Sequence, residues 1–285
     1  LLRGGIFDTP HSATIKATVV LDQVLGTGFP EYRAREACQL VPSPQLVLSV
    51  DLATTFNAQK RVLPLQAANK QNQTYARTTW DLAATGKNVA GVLLSDEAQK
   101  QAVHAAMKLH TDNASRALKK AENEQIIVVI ETATDVAAGD WGAMTTNADF
   151  SSRNPLDDLR SVIVTIMNNG VNPDGIIWHP QTMIDFMSNT FVHNTVIDQA
   201  LQRSPAKLIL PGLPPLDVIT DAGKTNTIAT VFSKSGGAYI LADGPTEAAQ
   251  YRDEDRGADA YVIRQWTEMK HVGTGFARDL TSVSA

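Results

Sequence analysis

A single cysteine, Cys38, stands in 285 residues, which rules out an internal disulfide framework and a cysteine-rich zinc site. Folding in a reducing cytoplasm is the natural inference. Long apolar runs are also missing: nothing approaches the roughly 18 residues of a membrane span, and the N-terminus lacks the basic-then-apolar form of a signal peptide. The chain opens on Leu1 and not Met, which suggests a leader that was removed or lies outside this sequence. There is no excess of positive charge either. The 25 Lys and Arg against 30 Asp and Glu leave a net charge of −5, so no overall basic field seeks nucleic acid and any such contact must be local.

Assembled chemistry is equally scarce. Gly223-Lys224-Thr225 has the ending of a phosphate loop, but Val218 sits where the required glycine should be, and the run reads as an exposed turn. Gly26-Thr27-Gly28 and Gly273-Thr274-Gly275 open a dinucleotide fingerprint whose third glycine position holds Glu31 and Arg278; both read as turns. The histidines, His11, His104, His110, His179, His193 and His271, include no pair at the four-residue helical spacing that lets two imidazoles share a metal. No Gly-x-Ser-x-Gly elbow is present. Asp253-Glu254-Asp255 is an acidic run, and a metal-dependent hydrolase using Asp253, Asp255 and a histidine is the rival reading from the enzyme class; a solvated loop is the plainer one. No cofactor and no catalytic residue is expected.

What is there is organised around Ser95 to Glu131, which predicts a long helix. Ser95 is a good N-cap, Asp96 and Glu97 place negative charge on the first turn, and no Gly or Pro interrupts the chain until Gly139. Ala98, Ala102, Ala105, Leu109, Ala117 and Ala121 mark the packing side, while Lys100, Lys108, Asp112, Arg116 and Lys119 fall on other faces. At roughly 1.5 Å per residue the helix would run about 50 Å, a strut and not a core element. Its least certain stretch is Ile126 to Ile130, a β-branched run that would equally suit a buried strand.

Residues 1–44, punctuated by Gly and Pro, read as an extended arm with a short helical turn at Glu31 to Ala37 and Cys38 as a small packed residue. From Gln45 a two-residue alternation (Leu46, Leu48, Val50, Leu52, Phe56) predicts a strand. Beyond the polar tip Ala67 to Gln73, a second extended run goes from Thr74 through Trp80 and Leu82 to Leu94. Two arms of about 20 residues each far exceed the usual strand, and such a hairpin is marginal alone in water. A neighbouring subunit is the simplest source of its missing partner surface, with Trp80 as candidate interface anchor and simple packing as the equal alternative. Trp178 and Trp266 read as core.

After a loop over Thr132 to Ser152, Asn154-Pro155 opens a helix with Leu159, Val162, Ile163 and Ile166 on one face, closed by Gly170. A buried strand Gly175 to Trp178, a helix from Pro180 and a helical piece Thr195 to Leu201 follow. Strands are then predicted at Leu208 to Leu210, Leu216 to Ile219, Ile228 to Phe232, Ala238 to Leu241 and Asp259 to Val272. Helices and strands in runs and not in strict alternation give an α+β class.

The order of these pieces resembles the major capsid protein of tailed double-stranded DNA phages, the Hong Kong 97-type shell fold. Lys87 to Glu97 resembles that family's passage from hairpin to spine helix, and Gly139-Asp140-Trp141-Gly142 the turn after it. Asn172 to Pro180 resembles the lead into the axial-domain sheet, Gly212 to Val218 and Ala238 to Gly244 its later strands, and Asp259 to Leu280 the closing strand and tail. The resemblance implies an N-terminal arm over 1–44, an extended hairpin loop over 45–94, a peripheral domain with a long spine helix over 95–150 with 258–285, and an axial domain with a mixed sheet over 151–257. It implies a non-enzymatic bacteriophage structural protein that self-assembles into pentamers and hexamers of an icosahedral capsid, and a location in the virion after assembly in the host cytoplasm. No membrane is involved. Scaffold, portal or decoration proteins are implied as further partners. Lys60, Arg61 and Lys70 near the loop tip would join Trp80 at subunit contacts, Lys60 or Lys70 being the only loop-tip candidates for the covalent cross-linking found in some members. Lys100, Lys108, Arg116, Lys119 and Lys120 would be the basic groups of the inner face, nearly balanced by acids, so contact with packaged double-stranded DNA should be weak and non-specific. The encapsulin compartment, similar in architecture but enclosing cargo enzymes, is the non-viral alternative.

Overall fold

The structure is a computed structural model, which describes residues 32–53, 75–95, 103–133, 135–137, 155–188, 192, 207–210, 212–273 and 275–281. A 3-10 turn (Ala34–Ala37) leads into β1 (Gln39–Pro42), β2 (Val47–Ala53), β3 (Tyr75–Asp81), the single-turn helix α1 (Leu82–Thr85) and β4 (Asn88–Ser95). The long helix α2 (Val103–Ala133) is followed by β5 (Asp135–Ala137), α3 (Pro155–Asn168), β6 (Gly175–Trp178) and α4 (Pro180–Ser188). The rest is strand: β7 (Lys207–Leu208), β8 (Leu216–Thr220), β9 (Ile228–Phe232), β10 (Tyr239–Asp253), β11 (Ala258–His271) and β12 (Ala277–Thr281).

Three sheets result. A six-stranded mixed sheet has the order β5-β12-β9-β6-β8-β7, a four-stranded sheet the order β1-β10-β11-β4, and β2 pairs with β3 alone as a ribbon. The six-stranded sheet is enclosed. Ile176, Trp178, Leu216, Val218, Ala229 and Val231 pack with Leu159, Val162, Ile163 and Ile166 of α3 and Phe186 of α4. From its other face Ile177, Ile219 and Phe232 meet Ile126, Ile127 and Ile130 of α2 and Tyr239, Leu241 and Met269 of the four-stranded sheet. Gly170, at φ 88°, lets the chain turn out of α3 as predicted.

Several expectations need correction. Ser95 ends β4 opposite Ala258, because the alternation of Asn88 to Leu94 carries the chain as a strand along β11, and the helix start expected directly after it lies outside the described residues. The β-branched run Ile126 to Ile130 stays helical, and its side chains are core, so the end of the strut is a core element. The packed stripe is also rotated from the one expected. Ala117 is exposed and Ala121 half-buried, whereas Ala114, Leu118, Glu122, Ile126 and Ile130 are buried, because a charged residue inside the stripe found a partner.

The second hairpin arm is not continuous. Asp81 accepts a hydrogen bond from the Ala84 N–H and starts α1, which breaks the run, and β4 then pairs with β11 and not with β2. The expected hairpin loop over 45–94 therefore belongs half to a ribbon and half to the body. The end of the expected arm is body as well: Ala34, Ala37 and Cys38 are buried in the core.

β10 runs through Gly244-Pro245 to Asp253, with a register shift between Asp243 and Thr246 that lets proline sit in the strand. A Cβ at Gly244 would lie 2.6 Å from Leu82 Cδ1 and 2.8 Å from the Trp266 carbonyl oxygen, so only glycine admits α1 to this bulge. Strands β5 and β12 were not anticipated. Both belong to the six-stranded sheet, while β10 pairs with β11, so strand pairing crosses the boundaries expected at 150/151 and 257/258. The loop tip with Lys60, Arg61 and Lys70, Gly139 to Gly142, the Asn154 cap and the helical piece Thr195 to Leu201 lie outside the described residues.

Candidate functional site

Two features stand out from the packing: a buried polar seam at the centre and the seat of the β2–β3 ribbon. The seam gathers around Asp221, which follows β8. Its Oδ2 accepts the backbone N–H of Arg33 at 2.6 Å and of Ala34 at 2.8 Å, and its Oδ1 accepts Asn123 Nδ2 and the Gly223 N–H, both at 2.8 Å. One buried carboxylate thus ties the N-terminal segment to α2 and to the turn before β9.

On the neighbouring side Arg35 bridges Glu122 of α2 and Asp243 of β10, at 2.5 Å to each. Glu122 has only 3% of its side chain exposed, and leaving such a charge without Arg35 would be costly. Leu118, Glu122, Ile126 and Ile130 recur every fourth residue, and a charge inside an apolar stripe was the signal in the sequence that a buried partner existed.

Lys224, expected in an exposed turn, is buried. Its Nζ lies 3.4 Å from Glu131 Oε1, and Glu131 also accepts the Thr225 N–H at 2.7 Å, which draws the turn onto α2. Burial pulls the Lys224 ammonium below the usual lysine range, against the favourable charges of Asp279 and Glu131. Burial likewise pushes the Asp279 carboxyl up, opposed by Lys224 and by the Thr230 hydroxyl that donates to it. Cys38 is pushed up to about 12 by burial and lies 3.5 Å from Met269 Sδ, so it is an inert packed residue, as expected.

The ribbon seat corrects the reading of Trp80. Its side chain is fully buried within its own chain, against Leu82, Ile240 and Ala242, with Leu48, Val50, Val41 and Trp266 around it, and Lys270 Nζ lies 5.9 Å from the ring centroid. No indole surface is left for a neighbour. The reason is the break at Asp81, which turns the chain so that the base of the ribbon faces the bulge of β10.

Of the basic residues expected on one face, Lys100 lies outside the described residues and Lys108 lies within α2. Arg116 is exposed, Lys119 is 3.8 Å from Glu122, and Lys120 is 3.6 Å from Glu124. Glu122 and Glu124 are thus the acids that pair with basic residues of this stripe among the described residues. In the acidic run Asp253 accepts the Arg256 N–H at 3.3 Å, and Glu254 is 3.5 Å from Arg252. His110 is exposed, His179 accepts the Gln181 N–H at the start of α4, His271 stacks on Tyr239, and His104 lies within α2; His11 and His193 lie outside the described residues. Among the described residues no group of three or more His, Cys, Asp or Glu side chains is placed to hold a metal. A cleft of about 310 Å³ between the N-terminal segment and the six-stranded sheet is rimmed by Arg33, Glu36 and Lys234, but Arg33 is paired with Glu36 at 2.6 Å and Lys234 Nζ donates to the Glu36 carbonyl.

No family model and no curated protein matches the sequence. Solved structures match its shape. The virus-like particle of Pyrococcus furiosus superposes at TM-score 0.63 and 10% identity, over 92% of this chain and 96% of the other. The capsid of cyanophage P-SCSP1u does so at TM-score 0.62 and 12% identity, over 91% and 90%. The fold is the Hong Kong 97 type. Another chain of that shape, the SrpI encapsulin of Synechococcus elongatus PCC 7942, matches at TM-score 0.56 and 9% identity over 90% of each chain.

Proposed function

We propose that this chain is a shell subunit that assembles with copies of itself into a closed icosahedral container and lacks catalytic activity. The observation that carries the reading is the match in shape, over about nine-tenths of each chain, to the Pyrococcus furiosus virus-like particle and the cyanophage capsid. The ribbon supports it. It pairs with no other strand among the described residues, and a two-stranded ribbon is marginal unless something else completes it.

The finer reading is a bacteriophage capsid protein that encloses double-stranded DNA and resides in the virion, with the region 45–94 reaching a neighbouring subunit. Basic residues paired with acids along α2 favour weak, sequence-independent contact with that DNA. Size-exclusion chromatography and negative-stain microscopy of the purified chain test the shell: closed particles of megadalton mass are expected, and a compact monomer at assembly concentration would overturn it. Nucleic acid inside particles recovered from the source supports the viral form; particles filled with protein cargo would replace it with an encapsulin. Deleting Gln59 to Gln73 should leave a soluble folded body that no longer closes particles.

A further inference from the structure

The two larger sheets have four edges, and three carry features that stop a strand from accepting another. β1 is four residues long and ends on Pro42, β5 is three residues long and begins on Asp135, and β7 is two residues long with Lys207 ion-paired to Asp217. Shortness, proline and charge are the usual means of blunting an edge. β4 has none of them. It is eight residues, Asn88-Val89-Ala90-Gly91-Val92-Leu93-Leu94-Ser95, without charge or proline, and among the described residues it pairs with β11 alone.

Its two faces differ. Ala90 and Val92 point inward and are buried on the side of α2, while Val89 is 53% and Leu93 41% exposed with Gly91 between them. The same outward face continues across β11 and β10 through Val262 and Tyr251, the latter 55% exposed. Arg264 and Glu247 share this face level with Val89, but β4 itself is a long, uncharged edge with two exposed apolar side chains, an invitation to another strand.

We propose that β4 pairs antiparallel with β4 of a second copy of this chain, about a two-fold axis through Gly91, fusing two four-stranded sheets into one of eight strands. The argument for a copy and not another partner is the self-complementarity of the strand. About Gly91, Val89 lies opposite the partner's Leu93, Ala90 opposite the partner's Val92, and Gly91 opposite the partner's Gly91. That register keeps the wet apolar side chains together on one face and the buried ones on the other, which a one-residue slip would undo. An isologous contact of this kind needs one patch that fits itself. The inference rests on the shell reading for its setting and names one contact within it.

Cysteine cross-linking of the full chain tests the register. A Cβ built at Gly91 meets only the Tyr261 carbonyl oxygen, at 3.8 Å, so Gly91→Cys fits, and the buried Cys38 does not compete. Opposed residues of an antiparallel pair have Cα atoms about 4.5–5.5 Å apart, within disulfide reach. With oxidised glutathione at assembly concentration, G91C should pass largely to a disulfide dimer on a non-reducing gel. V89C and L93C should each stay monomeric alone and cross-link when mixed, which reads the same register even if G91C folds poorly. Particles by negative stain with neither G91C nor mixed cross-links would overturn the β4 pairing and leave the shell reading standing. Cross-linked dimers without any particle would keep the pairing and remove the shell. Equal cross-linking of V89C alone would overturn the register and with it the proposal.

Discussion

The six-stranded sheet and the four-stranded sheet answer the same problem differently. β6 is buried at every residue, between α3 and α4 on one face and α2 with the four-stranded sheet on the other, so that region is complete within one chain. The outer half of the four-stranded sheet has α2 on one face and exposed side chains on the other, and among the described residues the ribbon pairs with neither larger sheet. A polypeptide can thus combine a self-sufficient body with surfaces left for other copies. The bulge at Gly244-Pro245 is the border: β1 pairs with β10 before it, and β4 pairs with β11 beyond it.

The largest test of this contrast is Trp80→Ala. It should cost roughly 3–5 kcal/mol in denaturant unfolding, as for other buried aromatics, because the ribbon seat belongs to the finished body. A loss under about 1 kcal/mol would mean that the seat is unfinished, like the open face. Next, Asp221→Ala leaves the Arg33 and Gly223 N–H groups and the Asn123 amide without this acceptor, while the Ala34 N–H keeps Asn123 Oδ1, and should cost about 3 kcal/mol, read the same way, with increased proteolysis before residue 38. Gly244→Ala drives a methyl into Leu82 and a carbonyl oxygen and should cost roughly 1–3 kcal/mol, with ribbon amides losing hydrogen-exchange protection first.

A smaller effect concerns pH. The raised Asp279 carboxyl favours the fold when protonated, so its contribution is full below the ordinary carboxylate range and fades as pH rises through the raised value. Stability of the parent relative to Asp279→Asn, measured by urea unfolding across that range, should therefore fall with rising pH; a flat or rising difference would contradict this. Smallest for the isolated subunit is Leu93→Lys on the open face. It should change folding stability by no more than about 0.5 kcal/mol yet reduce the yield of particles.

Much of the body was legible because it follows simple periods. Leu159, Val162, Ile163 and Ile166 announce the buried face of α3, and the apolar run Gly175 to Trp178 a strand buried on both sides. The spine was legible in type but not in phase. Its buried stripe admits Thr111, Ser115, Glu122 and Asn123, polar residues that the periodicity of apolar groups assigns to solvent. The seam was hidden for a related reason: Arg33, Asn123 and Asp221 are separated by about ninety residues or more, and no local pattern joins them. Trp80 misled because the break at Asp81 is a matter of one capping side chain, which redirects the strand after it.

The seam also sets an order of events during synthesis. Arg35 closes on Asp243 across 208 positions, and the Arg33 amide on Asp221 across 188. While the ribosome is still making β9, Arg35 has Glu122 but not yet Asp243, and the four-stranded sheet lacks the strand that β1 must lie beside. The stretch from Arg33 to Pro42 therefore gains its last partners only after β10 has been made, long after α2 is complete.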